Sequence, residues 1–185
     1  MNKIKEYMTK TAQLAMKVAD TQNEAIEEAA KAVADTLERG GTVYTFGTGH
    51  SHILAEEIFY RAGGLVKVYP ILDEPLMLHT GASRSSEMER LSGYASILLD
   101  NNLGIQPGDV MFIFSNYGRN TVSVDMAICA KEKGMKTICI TNMEHTNSVT
   151  SRHPSGKKMY EVCDIVIDNC GCIGDASIEI GGKMC

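Results

Sequence analysis

A chain of 185 residues, 44% of them hydrophobic, can build one domain with a real core, and no apolar run approaches the ~20 residues of a membrane helix. A net charge of −5 and a pI near 5.5, with lysines and arginines scattered, argue against a nucleic-acid surface. The opening stretch MNKIKEYMTKTAQLAMK is amphipathic and lacks the continuous apolar segment of a signal peptide, so a cytoplasmic protein with reduced cysteines is expected.

Residues 2–39 read as helix. Ile4, Tyr7, Met8, Thr11, Ala15 and Val18 form a stripe that Ile26, Ala30, Val33 and Leu37 continue. Thr21 followed by Glu24 has the capping-box pattern, which predicts two helices joined near Asp20. Gly40 and Gly41 end them. An alternation follows: strand 42–46, the turn GTGHS, helix 51–62, strand 65–72, a polar loop 73–86, and helix 87–102. Strand 109–115, helix 121–133, strand 135–141 and strand 164–169 complete it. Residues 1–41 are read as a helical lead of the same domain as 42–185. Cys129 and Cys139 fall on apolar elements and are expected as buried thiols. Cys170 and Cys172 could be half a metal site, but no second pair or nearby histidine completes it, so no metal is expected.

Short strands separated by helices predict an α/β fold with a parallel, doubly wound sheet covered on both faces, ordered 2-1-3-4-5. Strands one and three are then neighbours where the topology reverses, and ligands bind beyond the carboxyl ends of strands at such a point. The loops that would line it are GTGHS and SNYGRN. Backbone N–H groups at two helix starts, with hydroxyls and amides and no carboxylate, favour an anion. For either loop alone, helix capping explains Ser, Asn and Thr equally well. GTGHSH begins like a dinucleotide fingerprint but carries His52 at the third glycine position; Asp73, where a ribose ligand would fall, keeps a nucleotide as the alternative. No P-loop is present.

GTGHS followed by FSNYGRNT resembles the sugar-isomerase (SIS) domain family, over roughly Thr42 to Asn169. GHSHILAEEIFYRAGG and SVTSRHPSGKK resemble its phosphoheptose-isomerase-like branch. The resemblance implies a flavodoxin-like sheet that binds a phosphorylated sugar without a cofactor, and N-terminal helices that make a homodimer. The family's strand-three motif runs S-x-S-G-x-T, and its hydroxyls hold the phosphate. Ser115 and Gly118 match it; Tyr117 stands at the second serine and Asn120 at the threonine. Ser51 matches the hydroxyl after the first glycine loop. The implied binding set is Gly47, Gly49, His50, Ser51, Ser115, Asn116, Gly118, Arg119 and Asn120.

Isomerisation of an aldose to a ketose phosphate through an enediol needs a base and a proton donor, roles that Glu and His fill. Phosphoheptose isomerases and muramic-acid-phosphate etherases of the family carry a glutamate ten residues after the loop serine. Here that position is Arg61, so the residue does not carry over. Arabinose-phosphate isomerases use histidine and acidic groups in the loop after strand two, which points to His79 and Glu89. Ser86 and Glu89 also form a capping-box pattern, which would make Glu89 a cap. Glu57, one turn past Ser51, and His145, after strand four, are further candidates; His153 reads as turn. The leading expectation is a phosphosugar isomerase. The alternatives are a non-catalytic phosphosugar sensor and an amino-sugar-phosphate lyase or etherase. After strand five no helical stripe remains, which leads to the expectation of a C-terminally incomplete domain.

Overall fold

The computed structural model describes residues 2–101 and 104–184. Two helices open the chain, α1 (Lys3–Thr21) and α2 (Asn23–Glu38). Then come β1 (Val43–Gly47), α3 (His52–Glu57), β2 (Val68–Pro70), α4 (Ala82–Met88) and α5 (Tyr94–Asp100). β3 (Val110–Phe114), α6 (Thr121–Glu132), β4 (Lys136–Thr141), α7 (Met143–Ser148) and β5 (Ile165–Asp168) follow. A small hairpin, β6 (Glu179–Ile180) and β7 (Lys183–Met184), ends the described chain.

The five long-range strands form one parallel sheet in the expected order, β2-β1-β3-β4-β5. Strand side chains alternate between faces, and the sequence exploits this. Tyr44, Phe46, Met111, Ile113 and Cys139 point to one face, where α5 and α6 bring Leu98, Leu99, Val122 and Met126. Val43, Val110, Ile138, Ile165 and Ile167 point to the other, where α2 brings Ala29, with Val33 and Leu37 packed alongside. Contact with Cys163 and burial push the Cys139 thiol far above its usual range, and burial raises Cys129. Both are inert packing groups. No group of three or more metal-ligating side chains occurs among the described residues, and no helix is long and apolar enough to cross a membrane.

Several local expectations are corrected. The helical lead breaks at Gln22, with no side-chain cap; Thr21 instead donates its hydroxyl to the Lys17 carbonyl, so the Thr21–Glu24 box does not form. The helix expected over 51–62 stops at Glu57: residues 59–67 lie exposed, without the buried face that would hold a helix, and Tyr60 turns left-handed at φ 55°. The second strand keeps only Val68–Pro70. The helix expected over 87–102 is two: α4 starts inside the predicted loop and ends at Met88, and α5 begins after a left-handed Gly93. Its predicted last residue, Asn102, lies outside the described residues, as does Cys185. Asp73 accepts a hydrogen bond from Tyr94 Oη at 2.8 Å, and burial with that carboxylate pushes the phenol up to about 12; its place is structural, which removes the ribose reading.

At the amino edge, Asp109 closes the sheet. Its carboxylate is buried and accepts from the backbone N–H of Thr42 and of Gln106, both at 2.8 Å. Asp109→Ala is expected to cost about 2–4 kcal/mol, since two buried donors lose a charged acceptor; urea unfolding measures it, and a loss under about 0.5 kcal/mol would contradict this account.

Candidate functional site

The crevice between the carboxyl ends of β1 and β3 is built from four chain segments. The first is the turn after β1. At Gly47 a Cβ would lie 2.4 Å from the Ser51 carbonyl oxygen, so the turn can fold back only on glycine. Gly49 takes φ 58°, and the Ser51 N–H closes the turn on the Thr48 carbonyl. His50 is exposed, while His52 is buried, its Nδ1 2.6 Å from the Gly49 carbonyl. A carbonyl only accepts, so Nδ1 carries the proton, and Nε2 lies 3.8 Å from Glu56 Oε2.

The second segment is SNYGRN. Ser115 is buried and its Oγ accepts from the Gly118 N–H at 3.2 Å, tying the loop to itself. Gly118 has φ 55°, and a Cβ there would sit 2.9 Å from Thr141 Oγ1 and 3.1 Å from Thr146 Oγ1. The glycine is therefore required by threonines packed beneath it. The N–H groups of Arg119, Asn120 and Thr121 find no acceptor among the described residues. Buried Arg119 Nε likewise has no partner.

The third segment is the corner between α4 and α5. Here the capping-box reading fails: Ser86 is inside α4, and Glu89 terminates it. The Glu89 carbonyl accepts from the Val122 N–H at 3.1 Å, and its carboxylate accepts from Thr48 Oγ1 at 3.0 Å, so Glu89 bridges the first loop and the start of α6. Just before α4, exposed His79 lies with its ring centroid 6.0 Å from that of His52. The fourth segment is the loop carrying Arg152. The Arg152 N–H donates to the Arg119 carbonyl at 3.0 Å, and its Nη1 donates to Asn120 Oδ1 at 2.8 Å. Although Arg152 is exposed along its stem, burial of the guanidinium and the charges of Arg119 and Arg90 hold its pKa below the usual range, against the opposing pull of Glu89.

Other expected residues lie elsewhere. Glu57 is exposed and pairs with Arg61 on the outer side of α3. His145 stacks on Tyr117 with centroids 4.0 Å apart, and its Nδ1 accepts from the Gly174 N–H at 2.9 Å. Tyr117 Oη and Asn116 Nδ2 donate to Asp175, at 2.6 and 3.0 Å, and the Tyr117 phenol is raised by that bond and by burial. These groups hold residues 169–175 across the carboxyl ends of β3, β4 and β5. His153, read as turn, is largely buried, with Nε2 2.7 Å from Asp125 Oδ1. The sequence reading missed Thr48, His52, Arg90 and Arg152. Thr48 and His52 lie inside GTGHSH, where the glycines and Ser51 carry the recognisable pattern, and nothing local marks the two arginines.

Because the Ser115 hydroxyl is an internal acceptor, Ser115→Ala should lose about 1–3 kcal/mol of stability by stranding the Gly118 N–H. Gly118→Ala should lose a similar amount, about 1–3 kcal/mol, through left-handed strain. Thermal unfolding of both variants checks this, and wild-type stability in either would overturn the geometry described.

A family model described as SIS domain matches residues 6–142. A UPF0309 protein of Geobacillus kaustophilus is 49% identical over 173 residues, 94% of this chain and 68% of that protein. Among solved structures, a phosphoheptose isomerase from Francisella tularensis superposes with a TM-score of 0.66 at 21% identity, covering 92% of this chain and 85% of that one. The sugar isomerase domain of an RpiR transcription factor from Sphaerobacter thermophilus gives 0.55 at 18% identity, covering 89% and 73%. The family model spans the sheet through β4 and both glycine loops, and the chain belongs to the SIS domain family.

Proposed function

We propose that the chain binds a phosphorylated sugar in the β1–β3 crevice and interconverts its aldose and ketose forms through an enediol. The observation that carries this is the meeting, at one switch point, of unpartnered anion donors with a carboxylate and two imidazoles. The N–H groups of Arg119, Asn120 and Thr121 have no acceptor of their own among the described residues, Glu89 is held in place by Thr48, and His52 lies beside His79. Glu89 is the group best placed to move the proton between adjacent carbons, and exposed His79 serves the sugar oxygens. The matched phosphoheptose isomerase has the same fold, which accommodates such chemistry. Glu89→Gln should lower turnover about 10²–10⁴-fold with binding kept. The measurement is exchange of the C2 proton with solvent over a panel of aldose and ketose phosphates; a bound panel member that never exchanges would sink the isomerase.

A second reading, a phosphosugar sensor without chemistry, is favoured by Arg61, which occupies the position of the helix-borne glutamate and is paired outward with Glu57. The matched transcription-factor domain shows that this fold also occurs in regulators. A sensor gains stability from the sugar phosphate, about 2.7 kcal/mol at a hundredfold excess over Kd, and gives no product.

Assembly as a homodimer is part of the proposal. No residue of α1 is buried, and Ile4, Tyr7, Met8 and Met16 are exposed. An apolar groove of about 710 Å³, lined by Val18, Ile26, Leu65, Phe112, Ile140 and Ile167 among others, opens on the α2 side of the sheet. The exposed stripe of a second copy's α1 is complementary to this groove in character. Light scattering at micromolar concentration should give twice the chain mass, and Met8→Glu should halve it; a monomeric wild type would remove the dimer.

A further inference from the structure

We propose that Arg90, Arg119 and Arg152 form a clamp for a doubly charged phosphate monoester, and that this clamp discriminates against singly charged anions of the same shape. The inference rests on the phosphosugar reading of the crevice and adds what selects the phosphate.

The loop after β3 spends part of its uncharged side-chain donors internally: Tyr117 Oη and Asn116 Nδ2 donate to Asp175. Ser115 Oγ and Asn120 Oδ1 act as acceptors, from Gly118 and Arg152, which leaves the serine O–H and the asparagine amide as donors. Beside them the crevice is cationic. Arg119 and Arg152 are fixed to one another through the backbone at 3.0 Å, on the residues that lead into α6. Thr121 Oγ1 donates to the Arg152 carbonyl at 3.1 Å, fixing the same loop a second time. Arg90 follows Glu89, whose carbonyl is anchored to Val122 one residue into α6. Three chain segments thus bring an arginine each close to the start of one helix, near enough that Arg119 and Arg90 both act on the charge of Arg152.

None of the three makes an ion pair among the described residues, although they lie close enough to one another for their charges to be felt at Arg152. Arg119 Nε is shut away from solvent without an acceptor. The mutual repulsion of these guanidiniums is visible in the lowered pKa of Arg152, to which Arg119 and Arg90 both contribute after burial. Glu89 is the carboxylate that opposes it, and one carboxylate leaves two positive charges uncompensated. A phosphate monoester carries about −1.5 to −2 near pH 7 and offers three acceptor oxygens. It matches both the residual charge and the number of forks. A sulfate monoester has the same tetrahedral shape and a single charge, and would leave the cluster half neutralised.

Methyl phosphate and methyl sulfate, the smallest such pair, are suitable probes for calorimetry at pH 7.5. The wild type is expected to bind methyl phosphate about tenfold or more tightly than methyl sulfate. Arg90→Gln and Arg152→Gln should each weaken methyl phosphate about tenfold and bring the ratio of the two esters toward one. Arg90 is exposed, so its replacement carries little burden on the fold, and Arg152→Lys should recover part of the loss. Lys17→Gln, on exposed α1, should change nothing. Equal wild-type affinity for the two esters, or unchanged methyl phosphate affinity in both glutamine variants, would overturn the clamp. If a panel phosphosugar binds while neither methyl ester does, the clamp fails and the crevice reading stands. If no phosphorylated probe binds at all, both fail together.

Discussion

A parallel strand has no face to spare for water, and β1 and β3, paired at the centre of the sheet, meet this constraint most strictly. Val43, Tyr44, Phe46, Val110, Met111, Ile113 and Phe114 are all buried, and Phe112, partly open, adds only an apolar ring on the α2 side, so neither strand offers a polar side chain to a ligand along its length. Chemistry is displaced to the point where the strands stop. There the register sets Gly47 opposite Phe114, and the two chains leave the sheet side by side, one toward α3 and the other toward α6. Everything polar in the crevice follows from that shared exit. The loop after β1 supplies Thr48 and His52, the loop after β3 supplies amide donors, and the α4–α5 corner is drawn over both because Glu89 bonds to each.

The electrostatics of this corner differ from those of the remaining surface. Elsewhere several lysines find carboxylates: Lys131 with Asp164, Lys133 with Asp100, Lys31 with Asp35. The Asp164 carboxyl shows the usual result. Burial raises its pKa, but the hydrogen bonds from Lys131 and Thr137 outweigh this and hold it below the ordinary carboxylate range. At the crevice the balance is reversed, with cations in excess, buried polar donors idle, and one carboxylate reserved for a threonine hydroxyl. That imbalance is the physical ground for the anion site proposed there.

Much of this was legible in the sequence because it is local. The runs MFIF and TICI announce strands buried on both faces, and the alternation of strand and helix fixes the sheet order through the rules of parallel connection. Both glycine loops were legible for the same reason: a turn's residues are contiguous. What could not be read depends on partners far along the chain. Ser86 and Glu89 have the spacing of a capping box, and only the docking of the corner on Val122 makes Glu89 an end instead of a beginning. Arg152 lies in a stretch that looks like any polar turn, and it becomes part of the site because its backbone pairs with Arg119. His145 has the right residue type and follows the right strand, yet its ring is taken by Tyr117 and its nitrogen by Gly174. Helix 51–62 was overextended because apolar spacing alone does not say whether anything lies opposite.

The segment held over β3, β4 and β5 bears on how the protein is made. Asn116 and Tyr117 bond to Asp175, 59 and 58 residues further on, and Asn116 also accepts from Asn169 Nδ2 at 2.8 Å. A ribosome delivers β1, β3 and α6 long before it delivers these partners, since synthesis proceeds at about 5–20 residues per second. The sheet's central pair is complete early, whereas the loop that faces the crevice waits several seconds for its outer support. This carboxyl edge is thus among the last parts of the domain to gain its full set of contacts, and a nascent chain released before residue 175 would keep the loop's internal bonds while lacking those of Asn116 and Tyr117 to Asp175.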